Sequence, residues 1–168
     1  MGGVRGRGCV VGTAVAALLL GAAPGAAGAG ESRASGIRAG EPEADLAYHG
    51  AAALAGGRLD VRFLPRNHGP SAVPEATVRL RWSAELEDRQ ELPQGCARSG
   101  ERVVLCRLGP LAADGLGEQV RLGVRLRGAP AEVLMEFDTV WRGGTVDRNR
   151  ENDRQRVLVL DTGDPYHF

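Results

Sequence analysis

The chain has 168 residues, its 21 basic residues balance 21 acidic ones, and lysine is absent. That length suits one ordinary domain, and the balance excludes the basic excess typical of nucleic-acid binders. The arginine-only basic set, beside abundant alanine and glycine, reads as the codon bias of a GC-rich genome and not as a binding feature.

The first segment has the physics of an export signal. Arg5 and Arg7 precede an apolar run from Cys9 to Ala23, and Ala27-Gly28-Ala29 offers the small residues a signal peptidase reads. A membrane span needs about 20 apolar residues; this run is shorter and breaks at Pro24-Gly25. Without an Arg-Arg pair, export in an unfolded state is expected. Residues 1–29 are therefore predicted to be a cleaved signal peptide, taking Cys9 with them. About 139 residues remain, with a charge near −2. The expectation is a secreted protein with no membrane span after cleavage.

Residues 30–44 are mostly Gly, Ala, Ser, Glu and Arg, too poor in large apolar groups to repay ordering, and are predicted to be a flexible linker. Strand character then takes over. Leu59, Val61 and Phe63 alternate with Asp60 and Arg62. Asn67-His68-Gly69-Pro70-Ser71 is a turn, because Asn and Gly accept left-handed geometry and Pro blocks strand pairing. Val78, Leu80 and Trp82 alternate with Arg79 and Arg81, and Val104, Cys106 and Leu108 form another inward set before Gly109-Pro110. Val120, Leu122, Val124 and Leu126 oppose Arg121, Arg125 and Arg127; after Gly128-Ala129-Pro130, Val133, Met135 and Phe137 oppose Glu132, Glu136 and Asp138. If these two strands form a hairpin, the arginine face and the acidic face neutralise each other. Val157–Leu160 is the last strand, and 162–168 is a C-terminal tail. The pattern predicts an all-β, immunoglobulin-like antiparallel β-sandwich of about seven strands over 45–161.

Cys96 and Cys106 remain after processing, and an even pair in an exported chain favours a disulfide. Their spacing is not C-x-x-C, and no histidine or further cysteine lies near enough in sequence to complete a zinc site.

These marks, in order, resemble the bacterial conserved-repeat domain known as domain of unknown function eleven. Its early Asn-x-Gly-Pro-Ser corresponds to Asn67, Gly69, Pro70 and Ser71. Its cysteine pattern corresponds to Cys96 and Cys106-x-Leu108-Gly109-x-Leu111, and its small-residue turn to Asp114-Gly115. Its closing Asp-x-Asn-x-x-Asn-Asn corresponds to Asp147, Asn149 and Asn152, with Asp153 replacing the final Asn. The resemblance implies an immunoglobulin-like sandwich of exported or cell-surface proteins and supplies no catalytic residue.

Candidate chemistry is sparse. Asp161-Thr162-Gly163 resembles an aspartic-protease signature, but that chemistry needs a second carboxylate sharing one proton, and Asp164 replaces the usual small residue. Asp147, Asn149, Glu151 and Asp153 offer oxygen at alternate positions, a weak calcium candidate whose residues serve equally as turn caps. His49, His68 and His167 lack ligand spacing. Trp82 and Trp141 fall in phase with inward positions, so core packing is expected of both, with a sugar-stacking platform as the alternative. The sequence therefore predicts no enzyme and no cofactor. It predicts a secreted extracellular interaction or structural module whose partner is an unknown extracellular protein or cell-envelope component; the alternative is a carbohydrate-binding sandwich.

Overall fold

The computed structural model describes residues 40–168; the expected signal peptide and most of the linker lie outside the described residues. Period-two alternation of apolar and charged residues gives strands with one face dry and one wet. Twelve form: β1 (Glu43–Ala44), β2 (Leu46–Ala55), β3 (Arg58–Asn67), β4 (Ala76–Trp82), β5 (Cys96–Arg98), β6 (Val103–Leu108), β7 (Gly115–Leu116), β8 (Val120–Arg125), β9 (Glu132–Trp141), β10 (Val146–Asp147), β11 (Arg154–Leu160) and β12 (Tyr166–His167). The long ones, β2, β3, β4, β6, β8, β9 and β11, make up an antiparallel immunoglobulin-like sandwich. One sheet runs β12-β2-β3-β8, with β7 also on β3; the other runs β11-β9-β4-β6-β5. The two-residue strands β1 and β10 pair in parallel at one end.

The inward residues are those the alternation names. Leu59, Val61, Phe63, Leu122 and Val124 come from one sheet, and Val78, Leu80, Trp82, Val104, Met135 and Phe137 from the other. Fully burying such a side chain contributes about 1.5–3 kcal/mol. Phe137 is an aromatic centre, with its ring 5.3 Å from Phe63 and 4.9 Å from Phe168. Tyr48 joins the sheets through a 2.5 Å bond between its hydroxyl and Thr139 Oγ1.

Strand β2 has a weak signal because Ala51-Ala52-Ala53 are poor strand formers. Small residues are nonetheless required there. A Cβ at Gly50 would lie 2.1 Å from the carbonyl oxygen of Arg62 and 2.8 Å from the Phe168 ring. That ring belongs to the segment 162–168 expected as a tail. Instead, β12 pairs with β2, and Gly50 and Phe168 exchange both backbone bonds. Glu43 and Ala44, expected in the linker, form β1.

Cys96 and Cys106 stand directly opposite each other on β5 and β6 and are joined by a disulfide. Closing a loop of this size contributes about 2.8 kcal/mol in the chain-entropy view.

Two further expectations are corrected. The 121–127 and 132–138 strands form no hairpin: after Arg125 the chain crosses to the other sheet, so β8 pairs with β3, while β9 lies between β4 and β11. Trp141 is not in the core. The register shifts between Thr77 and Val78, leaving Val140 as an extra residue on β9. Such a bulge reverses the in–out phase of the residues beyond it, so Trp141 sits opposite outward-facing Thr77 and is 52% exposed, against 1% for Trp82.

Candidate functional site

The motif residues converge on one short segment, residues 43–46. From one side, the 67–71 turn clamps it. Asn67 is fully buried; its Oδ1 accepts from the backbone N–H groups of Asp45 (3.2 Å) and Gly69 (2.9 Å), and its Nδ2 donates to the carbonyls of Ser71 (2.8 Å) and Ala112 (3.0 Å). Ser71 Oγ accepts from the Glu43 N–H. Gly69 lies so close that a Cβ would fall 2.5 Å from Ala44 Cα. Pro70 comes next, exposed, at the tip of the turn.

From the other side, the 147–152 loop closes the clamp. Asp147 Oδ2 accepts from the Leu46 N–H at 2.9 Å and its Oδ1 from the Asn149 N–H at 3.0 Å. Asn152 Nδ2 donates to Asp45 Oδ1 at 2.7 Å. These residues hold an incoming strand; Asn67, Ser71 and Asp147 bond its backbone, and Asn152 bonds the Asp45 side chain. Burial raises the pKa of Asp147 above the ordinary aspartate value, opposed by the two N–H bonds it accepts. Burial likewise pushes the Tyr48 hydroxyl well above the usual tyrosine range.

Of the calcium candidates, Asn149 and Glu151 are exposed and apart from the buried Asp153, whose carboxylate pairs with the mostly buried Arg142 guanidinium. Among the described residues, no group of three or more His, Cys, Asp or Glu is arranged to hold a metal ion. Asp161, of the protease-like triplet, caps a turn by accepting from the Gly56 N–H at 2.8 Å.

The two outer faces of the sandwich differ in charge. On the β11-β9-β4 face, Glu136 and Asp138 of β9 each stand between two arginines. Asp138 is paired in register with Arg79 and Arg154, and Glu136 with Arg81 and Arg156. The corresponding N···O distances are 2.7 and 3.1 Å for Asp138, and 3.5 and 2.7 Å for Glu136.

The β2-β3-β8 face lacks those acids. Arg62 of β3 and Arg121 of β8 stand directly opposite each other. Neither is paired with a carboxylate among the described residues; Arg121 Nε donates instead to Gln119 Oε1 at 2.8 Å. Like charges directly opposite repel. They rim a hollow of about 630 Å³ floored by Ala51, Ala53 and Gly123. Its one carboxylate, Asp60, is taken by Arg58 at 3.0 Å. Gly123 leaves room for that pair to lie across β8, since a Cβ there would fall 2.8 Å from Arg58 Nη2 and 2.9 Å from Asp60 Oδ1. His167 is paired with Ala51, so the rung across the sheet reads His167, Ala51, Arg62, Arg121. The arginine alternation was visible in the sequence; the neighbour of each strand was not.

Comparison with protein-family models gives no match, and neither does comparison with curated proteins. Among solved structures, the chain superposes on part of beta-glucosidase 3B from Thermotoga neapolitana, solved with alpha-D-glucose. The TM-score is 0.42 at 14% identity, covering 74% of this chain and 17% of the glucosidase. It also superposes on AvmM, which catalyzes macrocyclization in alchivemycin A biosynthesis, with a TM-score of 0.39 at 12% identity, covering 74% of this chain and 92% of AvmM. Likeness at this level transfers no activity.

Proposed function

We propose that this protein is a secreted, non-catalytic module that binds an extracellular or cell-envelope component through the outer face of its β2-β3-β8 sheet. The observation that carries this reading is the exposed, uncompensated Arg62–Arg121 pair over a floor of small residues. The Cys96–Cys106 disulfide suits an oxidising exterior, and no helix among the described residues is long and apolar enough to cross a membrane. The resemblance to the bacterial conserved-repeat domain points to the same compartment. Asn67, Ser71 and Asp147 support a non-catalytic role, being engaged with backbone in the 43–46 clamp.

The test is expression of the full chain in a bacterial host, then fractionation and co-sedimentation with cell envelopes. The expected result is a shortened protein in the medium that sediments with envelopes. A protein retained at full length inside the cell would overturn the compartment, and one that ignores envelopes would overturn the binding role.

One observation favours a second reading. Trp141 and its neighbour Val140 are both exposed on the opposite sheet, and an exposed indole is a surface on which a sugar ring can stack. If the module binds neutral polysaccharide, Trp141→Ala abolishes co-sedimentation with it. Equal sedimentation of the variant and the parent removes the platform.

A further inference from the structure

Resting on the binding-module reading, we propose that the β2-β3-β8 hollow is a phosphate-monoester site in which Arg62 and Arg121 clasp one dianionic phosphate group. Opposed residues on antiparallel strands have Cα atoms about 5 Å apart, so the Arg62 and Arg121 side chains start side by side on one rung. Each fork presents paired N–H donors matched to an oxyanion. The donors of both together suit the several oxygens of a tetrahedral anion better than the two of a carboxylate.

The charge points the same way. Arg58 is neutralised by Asp60, and Arg62 and Arg121 are left with two positive charges. A phosphate monoester carries about −1.5 to −2 at neutral pH, whereas a phosphodiester or a carboxylate carries −1. Gln119 Oε1, accepting from Arg121 Nε, holds one guanidinium through that nitrogen alone. Ala51, beside Arg62 on the same rung, keeps that side of the hollow low.

The opposite sheet is the built-in control. It has more exposed arginine than the hollow, but Asp138 and Glu136 already occupy its guanidiniums. Nonspecific attraction of anions to arginine would favour that face; a built site favours Arg62 and Arg121.

The experiment titrates the full secreted chain with inorganic phosphate at constant ionic strength, tracking the arginine Nε–Hε signals by NMR and affinity by calorimetry. The expected result is saturable movement of the Arg62 and Arg121 signals, with glycerol 2-phosphate acting alike. Dimethyl phosphate and acetate should bind at least about tenfold more weakly. The double variant Arg62→Gln, Arg121→Gln loses at least about tenfold in affinity, while Arg79→Gln, Arg156→Gln keeps it. Circular dichroism establishes that both fold. Unchanged affinity in the first double variant, or acetate binding as tightly as phosphate, overturns the proposal.

The source of the group is read by competition, with inorganic phosphate added to envelope co-sedimentation. Release by phosphate, in the parent only, shows that the hollow takes a phosphate carried by the envelope. Envelope binding that ignores both phosphate and the double variant refutes this site and leaves the module reading standing. Phosphate binding by a chain that never leaves the cell refutes the module reading and leaves the site standing.

Discussion

The clamp around residues 43–46 and the arginine hollow are both rich in polar groups and use them in opposite ways. In the clamp, Asn67 is buried and bonded four times, so both polar atoms of its own side chain are matched within the fold. In the hollow, Arg62 and Arg121 are exposed and set against each other with no carboxylate. The first arrangement stabilises a strand at the end of the sandwich. The second costs a little stability and leaves binding capacity on the surface. Unusual residue patterns mark the first region, and ordinary alternation hides the second.

The largest expected effect breaks the clamp. Asn67→Ala would strand the Asp45 and Gly69 N–H groups and the Ser71 carbonyl, while the Ala112 carbonyl keeps the Gly115 N–H; unpaired buried groups cost about 1–3 kcal/mol each. A loss of about 3 kcal/mol or more is expected by denaturant unfolding, with phosphate binding retained by the fraction that folds. A loss below about 1 kcal/mol would show that water replaces Asn67 freely.

A smaller effect would turn the neutralised face into a second hollow. Glu136→Gln with Asp138→Asn removes the acids between Arg79, Arg81, Arg154 and Arg156. Exposed ion pairs are worth about 0–1 kcal/mol each, so stability should fall by about 1 kcal/mol while new phosphate-dependent shifts appear at those arginines. Their absence would mean that rung geometry, and not carboxylate occupancy, separates the faces.

Asp147 distinguishes the regions by pH. Its pKa is raised in the fold, so its contribution is fully present below the ordinary value of 3.8 and is lost as pH rises through the higher folded value. Comparing melting of the parent and Asp147→Asn from pH 7 to 3, the parent should gain relative to the variant on acidification. A relative loss would reverse the assigned direction.

The smallest effect has the opposite sign. Arg62→Glu replaces a like pair with an opposite one across β3 and β8, which should stabilise the fold by a few tenths of a kcal/mol. The same change should abolish the phosphate response. A destabilised variant would mean that Arg62 already has a favourable partner.

The core was legible in detail because burial in a strand obeys a local period of two. Leu59, Val61, Phe63, Leu122, Met135 and Phe137 lie where alternation puts them. Trp141 escaped because one bulged residue, Val140, reverses the phase, and nothing in the local composition announces a bulge. Strand β2 escaped because its small Gly50 is required by contacts outside its own segment, with the Arg62 carbonyl and the Phe168 ring.

The sequence by itself determined the all-β class, the strand faces, the Cys96 and Cys106 partners and the turn at Asn67–Ser71, each set by chemistry within a few residues. Only the tertiary structure decided which arginines meet an acid. Crossing between sheets after Arg125 moves β8 away from β9, placing Arg121 beside Arg62 and giving Glu136 and Asp138 to the arginines of β4 and β11. Charge pairing depends on which strand lies about 5 Å away, and the crossovers, not the alternation, choose that neighbour.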